Sequence, residues 1–187
     1  VAYTNYTGYT VGSRIYDYQV TFRSISPYLH TEISPLERLR LTAGGRYDSL
    51  GYDFQNNLPG GASSNGATKY GQSESGSNWF ERFSPKLGAT YQLTQSSSVY
   101  ASFNRAFRVP SEGQLFRAGT ATSNTLAQQR AAIALGLKPI KAQQLEIGTR
   151  GKLLGFDYTF AAYRLTKNDD IVSMRDTASN LSYSENA

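Results

Sequence analysis

The stretch Leu39-Arg40-Leu41-Thr42-Ala43-Gly44-Gly45-Arg46-Tyr47-Asp48 decides the fold. Successive side chains of a β-strand point to opposite faces, so period two sorts this run into two sets. Leu39, Leu41, Ala43, Gly45 and Tyr47 share one face. Arg40, Thr42, Gly44, Arg46 and Asp48, with Arg38 just before them, share the other. Three arginines on one face cannot meet hydrocarbon, because each would cost about 2–4 kcal/mol at a bilayer midplane. That face meets water, either in a lumen or in bulk.

Working outward, the same alternation recurs. Ile25, Pro27, Leu29, Thr31 and Ile33 alternate with Ser26, Tyr28, His30 and Glu32. Phe83, Pro85, Leu87, Ala89, Tyr91 and Leu93 alternate with Ser84, Lys86, Gly88, Thr90 and Gln92. Val99, Ala101 and Phe103 alternate with Tyr100, Ser102 and Asn104, and Leu145, Ile147 and Leu153 with Gln144, Glu146, Arg150 and Lys152. Phe156, Tyr158, Phe160 and Ala162 complete the set. The pattern slips at Tyr163 and Leu165, where a bulge and an interfacial aromatic are both open explanations. Short turns expected at Ser34-Pro35, Thr94-Gln95-Ser96 and Leu154-Gly155 alternate with long loops at about residues 54–79 and 109–138. Short turns at one end and long loops at the other are the layout of an outer-membrane barrel, with its long loops extracellular.

The predicted fold is therefore all-β, an antiparallel up-and-down transmembrane β-barrel. Residues 1–21 read as a loop, with hairpins at about 22–53, 80–108 and 140–170. The Gly/Ser/Asn-rich segment 55–79 reads as a mobile surface loop, and Leu126–Leu135 as a short helix stopped by Gly136. Mean hydropathy is −0.46, which a barrel tolerates because only every second strand residue meets lipid. The 14 Tyr, 9 Phe and 17 Gly suit β-structure, and the absence of Cys removes a disulfide scaffold and thiolate metal sites. The +5 charge is scattered, which argues against nucleic acid. A start at Val1 suggests a mature product or a fragment.

No catalytic constellation is legible. His30 is the sole histidine, sits mid-strand on the polar face and reads as a structural partner of Glu32. Asn168-Asp169-Asp170 lacks the alternating spacing of a calcium loop and reads as solvated. Asn5-Tyr6-Thr7 and Asn180-Leu181-Ser182 match the glycosylation pattern, which recurs by chance. No catalytic residue, metal site or cofactor is expected.

The runs Arg82-Phe83-Ser84-Pro85-Lys86-Leu87-Gly88-Ala89-Thr90-Tyr91 and Ser98-Val99-Tyr100-Ala101-Ser102-Phe103-Asn104-Arg105-Ala106-Phe107-Arg108-Val109-Pro110-Ser111 resemble the barrel of TonB-dependent outer-membrane receptors. So do Leu137-Lys138-Pro139 with Gln144-Leu145-Glu146-Ile147-Gly148, Asp170-Ile171-Val172 and the opening stretch Leu39–Asp48. The chain departs from that pattern at Ile140, where Glu is common, and at Leu145, where an aromatic is. The resemblance implies a larger barrel of about 22 strands, of which this chain supplies six to eight. It implies a plug domain and a TonB-contacting segment N-terminal to the barrel, both absent from this chain, and TonB-energised import of a scarce nutrient, above all a ferric siderophore. Outer-membrane lipid, such a ligand and TonB are the implied partners, in the outer membrane of a Gram-negative bacterium. An isolated six-stranded sheet would leave two unpaired edges, which hydrocarbon does not tolerate.

On that reading the loops and upper strands supply ligand contacts. Arginine forks suit anionic oxygens and aromatic faces suit flat or cationic groups. The candidates are Tyr52, Tyr70, Trp79, Arg82, Arg105, Phe107, Arg108, Phe116 and Arg117. Barrel-rim structure is the competing role for each. Two rival functions remain. A passive porin-like channel would conduct without TonB, and a soluble all-β binding module would melt cooperatively in plain buffer.

Overall fold

The computed structural model describes residues 14–58, 62–117, 119–177 and 180–187. β1 (Tyr18–Ile25) and β2 (Tyr28–Leu36) both pair with β3 (Leu39–Asn56), so they form one long strand broken at Ser26-Pro27. β6 (Gly76–Thr94), β7 (Ser97–Arg108), β9 (Ile140–Leu153) and β10 (Phe156–Asn168) follow in order, every pair antiparallel. The sheet is an open meander with β1/β2 and β10 at its edges.

Register aligns the alternating sets. One apolar row runs Ile33, Leu41, Ala89, Ala101, Ile147, Ala162 across the strands. A polar row runs Glu32, Thr42, Gly88, Ser102, Glu146, Tyr163. The apolar face lies open, with Leu29 at 76%, Ile147 at 63% and Phe160 at 70% exposure. A sandwich would cover that face with a second sheet; an uncovered patch of this extent marks a partner surface or a membrane. Two aromatics cover its glycines, since a Cβ on Gly45 would lie 2.5 Å from the Phe83 ring and one on Gly51 2.7 Å from that of Trp79.

The polar face carries a hydrogen-bonded ladder. The Tyr100 hydroxyl donates to Glu146 at 2.9 Å, and the Gln144 amide donates to the other oxygen of the same carboxylate at 3.0 Å. Arg40 pairs with Glu32 at 3.2 Å, so that carboxylate serves Arg40 rather than His30. Tyr100, Glu32 and His30, with Lys86 and Arg150, line an open groove of about 500 Å³.

Three expectations are corrected. Ser34-Pro35 is not a turn. β2 continues through it to Leu36, the register gains one residue there, and the chain turns at Glu37-Arg38. Proline lacks the N–H a ladder needs, and a bulge is where a strand accommodates it. Residues 18–21 belong to β1 rather than to a leading loop, while residues 1–13, with the Asn5 pattern, lie outside the described residues. The described residues of 55–79 are structured, with β4 (Ser63–Asn65) and β5 (Thr68–Tyr70) forming a hairpin and Gly71, Gln72 and Ser73 buried. Of the two explanations for the slip at Tyr163, a bulge is excluded, because β9 and β10 pair without interruption from Phe156 to Asn168. Tyr163 and Leu165 simply stand on the polar face. The turn at Leu154-Gly155 has φ of 51° and 84°, the left-handed pair a tight hairpin requires.

Candidate ligand site at the long-loop end

The three long connections emerge from one end of the sheet and fold over its polar face as one cap. α1 (Glu112–Phe116) starts where Pro110 and Ser111 end the β7 ladder. Ser111 and Gln114 satisfy each other's backbone N–H in a capping box. α2 (Asn124–Leu135) is rich in Ala, Gln and Leu, good helix formers, and is capped by the Ser123 side chain. The cap core joins Tyr52, Phe54 and Phe80 of the sheet to Leu115, Phe116 and Leu137. Phe116 stacks on Phe54 at 4.2 Å and meets Tyr52 edge-on at 6.0 Å.

Small residues set how closely α2 sits. Its Ala127, Ala131 and Ala134 are buried, and a Cβ on Gly71 would lie 2.1 Å from the Ala127 carbonyl oxygen. β5 pairs with β8 (Thr120–Ala121) beside this seam, joining the first long loop to the second. The third connection forms β11 (Ile171–Arg175) and β12 (Ser182–Asn186) and docks by polar contacts. Arg130 of α2 donates to Thr120 O at 2.6 Å and to Asp176 at 2.7 Å, with its guanidinium 4.6 Å from the Tyr183 ring centre. Asn186 accepts from the Lys138 N–H at 2.7 Å and donates to the Lys138 carbonyl at 3.1 Å.

The nine candidate residues divide into three groups. Tyr52 and Phe116 are cap core; the Tyr52 hydroxyl donates to Pro110 O at 3.1 Å. Tyr70 lies edge-on to Tyr16 at 5.8 Å, and Arg117 is bound by Glu112 and Tyr18 beneath α1. Trp79, Arg105 and Phe107 stand on the apolar face, the Arg105 guanidinium 5.4 Å from the Phe103 ring centre. Arg82, opposite Asp48, and Arg108, opposite Ile140, stand on the polar face beneath the cap. Neither Arg82 nor Arg108 has an ion pair within 4.0 Å among the described residues.

Electrostatics at the strand tops is set by Asp169 and Asp170. Lys141 binds Asp169 at 2.7 Å and Lys167 binds Asp170 at 2.5 Å. These hydrogen bonds hold both carboxyls below their ordinary range, with Arg82 adding to the effect on Asp169 and Arg108 to that on Asp170. A lowered folded pKa gives stability that is complete above the unfolded value of about 4 and is lost as pH falls through the folded one. Backbone amides of β11 and β12 should therefore keep their hydrogen-exchange protection from pH 7 to about pH 5 and lose part of it below about pH 4. Protection that is flat down to pH 3 would remove Asp169 and Asp170 from the docking. Tyr16, overlooked because its segment reads as a loop, is pushed up to about 12, chiefly by burial and then by Tyr70 and Tyr18.

A meander with one exposed apolar face, one hydrogen-bonded polar face and all long loops at one end is wall of a transmembrane β-barrel. The family described as TonB dependent receptor-like, beta-barrel matches residues 1–187, and the chain belongs to it. It is thus a segment of a β-barrel of the Gram-negative outer membrane. The fold is similar to that of solved structures. The copper transporter OprC is 18% identical with a TM-score of 0.67, the match covering 89% of this chain and 24% of that one. The FrpB iron transporter from Neisseria meningitidis is 19% identical with a TM-score of 0.59, covering 92% and 22%. The ferric-catecholate import receptor Fiu from K12 E. coli is 19% identical with a TM-score of 0.59, covering 90% and 24%. The chain spans about a quarter of the length of these structures.

Proposed function

We propose that this chain is part of the wall and extracellular cap of a receptor that imports a ferric siderophore with energy delivered by TonB through a segment outside this chain. The observation that carries the reading is the pair Arg82 and Arg108, beneath the cap on the polar face and without ion pairs among the described residues. Guanidinium forks match the anionic oxygens of such a cargo. A bare copper ion fits less well, since one His, one Met and no Cys in 187 residues offer few soft donors. The cap residues Tyr52, Tyr70, Phe116 and Arg117 shape the site on this reading without touching cargo, and the wall candidates Trp79, Arg105 and Phe107 stand on the opposite face of the sheet.

In the whole receptor, Arg82→Gln with Arg108→Gln should weaken binding of the cognate ferric siderophore by at least about tenfold. That corresponds to one charge-assisted hydrogen bond of roughly 1.5–3 kcal/mol. Tryptophan-fluorescence titration reads it. Unchanged affinity would remove both arginines from the site. Deleting the gene should slow growth under iron limitation with at least one defined siderophore. If it leaves all of them unaffected but lowers copper accumulation, the cargo assignment is wrong.

A further inference from the structure

We propose that the lipid-facing wall carries a binding site for the phosphate of a lipid headgroup, built from Arg105, Gln143, Thr166 and Arg164. Toward the long loops the apolar face of each strand, which lower down admits only Thr31 and Thr149 within the band, gives way to a polar residue. These are Arg23 on β1, Ser49 on β3, Glu81 on β6, Arg105 on β7, Gln143 on β9 and Arg164 on β10. Register turns this list into a line. Arg23 aligns with Gly51 of β3, whereas the row of Arg164 passes through Leu145, Phe103 and Leu87 to Ala43 of the same strand.

From Gly51 to Ala43 is about 26 Å along the strand, and β1 to β10 is about 24 Å across the sheet. The line therefore crosses the strands at about 45°. Barrel strands tilt about 35–45° from the axis, so these residues lie at one depth, the upper edge of the hydrocarbon band. The tilt comes from the pairing and the edge from side-chain chemistry, so their agreement is independent support.

Within this border the charges are unevenly matched. Arg23 pairs with Asp53 at 3.2 Å, and Glu81 is hydrogen-bonded by Tyr47. On the β7–β10 side the apolar face carries no acid among the described strand residues. Arg105 lies over Phe103, and the exposed Arg164 has no ion pair or hydrogen bond among the described residues. Arg105, Gln143 and Thr166 form one row across three strands, and Arg164 sits one step below Thr166. The two arginine Cα atoms are thus about 12 Å apart, with an amide and a hydroxyl between them. Leu145, Phe103, Ala162 and Phe160 continue the face directly into the hydrocarbon band. An anionic group held at that depth belongs to a lipid, whose chains cover the residues below.

The test uses the whole receptor containing this chain, reconstituted in phosphatidylcholine nanodiscs with increasing phosphatidylglycerol. Native mass spectrometry after release counts retained phosphatidylglycerol. Near a surface each basic residue contributes about one kcal/mol, so Arg105→Gln with Arg164→Gln should lower retention affinity about thirtyfold. Arg105→Lys with Arg164→Lys should recover much of it, and Arg40→Gln on the polar face should change nothing. Should the glutamine variant fail to fold, salt decides: retention by the wild type must fall steeply between 0.05 and about 0.5 M salt. Equal retention in wild type and a folded glutamine variant, an equal loss in Arg40→Gln, or salt-independent retention would each overturn the proposal. Competition by millimolar inorganic phosphate would also overturn it, because the site would then serve a free ion.

Discussion

Replacing Arg130 with Met should free the β11–β12 hairpin from the rest of the cap. The Arg130 side chain is 8% exposed, and that of its partner Asp176 is 24% exposed. One guanidinium nitrogen donates to the Thr120 carbonyl and another to Asp176, while its face covers the Tyr183 ring. Methionine fills a similar volume but leaves a buried carbonyl and a half-covered carboxylate without this donor. Breaking a fully buried pair costs about 3–5 kcal/mol; with Asp176 partly solvated, about 2–3 kcal/mol is expected. Exchange of the β11 and β12 amides should accelerate by about thirty- to a hundredfold, while β7 and β9 amides in the sheet stay protected. Lysine should not rescue, because a single ammonium lacks the planar fork that reaches both acceptors. A thermodynamic cycle with Asp176→Asn should show coupling. Unchanged exchange in Arg130→Met would mean that Asn186, bridging Lys138 and the Asp169 carbonyl, holds the hairpin without help.

The cap is the part of the molecule that the sequence shows poorly, and the reason is physical. The wall is legible because lipid and water act on alternate residues, as in Leu39–Asp48, so period two survives in the sequence. The cap obeys no such period. Its floor consists of Tyr52, Phe54 and Phe80, apolar residues in the phase of the polar face, since above the hydrocarbon that face meets protein rather than water. Its seam depends on Gly71 and Gly119, which in sequence look like loop glycines but admit α2 by lacking a Cβ. α2 was readable from its Ala/Gln/Leu composition and the stop at Gly136. α1, at five residues, is too short for a pattern and is marked only by its Ser111/Gln114 box. For the candidate site, parity separates what residue type alone does not. Arg105 is in phase with Phe103 and faces lipid, whereas Arg108 is in phase with Asn104 and faces the polar side.

Phe116→Ala should have the largest effect on the cap. Phe116 is 3% exposed, and its ring lies at 8° to that of Phe54. Truncating a buried phenylalanine costs about 3–5 kcal/mol through lost transfer energy and the cavity left behind. The stacked and edge contacts add to that figure rather than replace it. Relaxation cannot recover much, because the floor residues are pinned in the sheet by their register and the Tyr52 hydroxyl is committed to Pro110 O. Among the described residues the cap is held to the sheet by this apolar cluster and by polar contacts at its margins, so the loss should fall on cap opening and spare the wall. Exchange of α1 and α2 amides should accelerate by two to three orders of magnitude or about that, with the apparent melting temperature of the barrel unchanged. Tyr52→Phe, which keeps the ring and removes one hydrogen bond, should cost about 1 kcal/mol. The contrast separates packing from polarity: if the two variants open the cap equally, the anchor is the hydroxyl bond, and if Phe116→Ala lowers the barrel melt itself, cap and wall unfold as one unit.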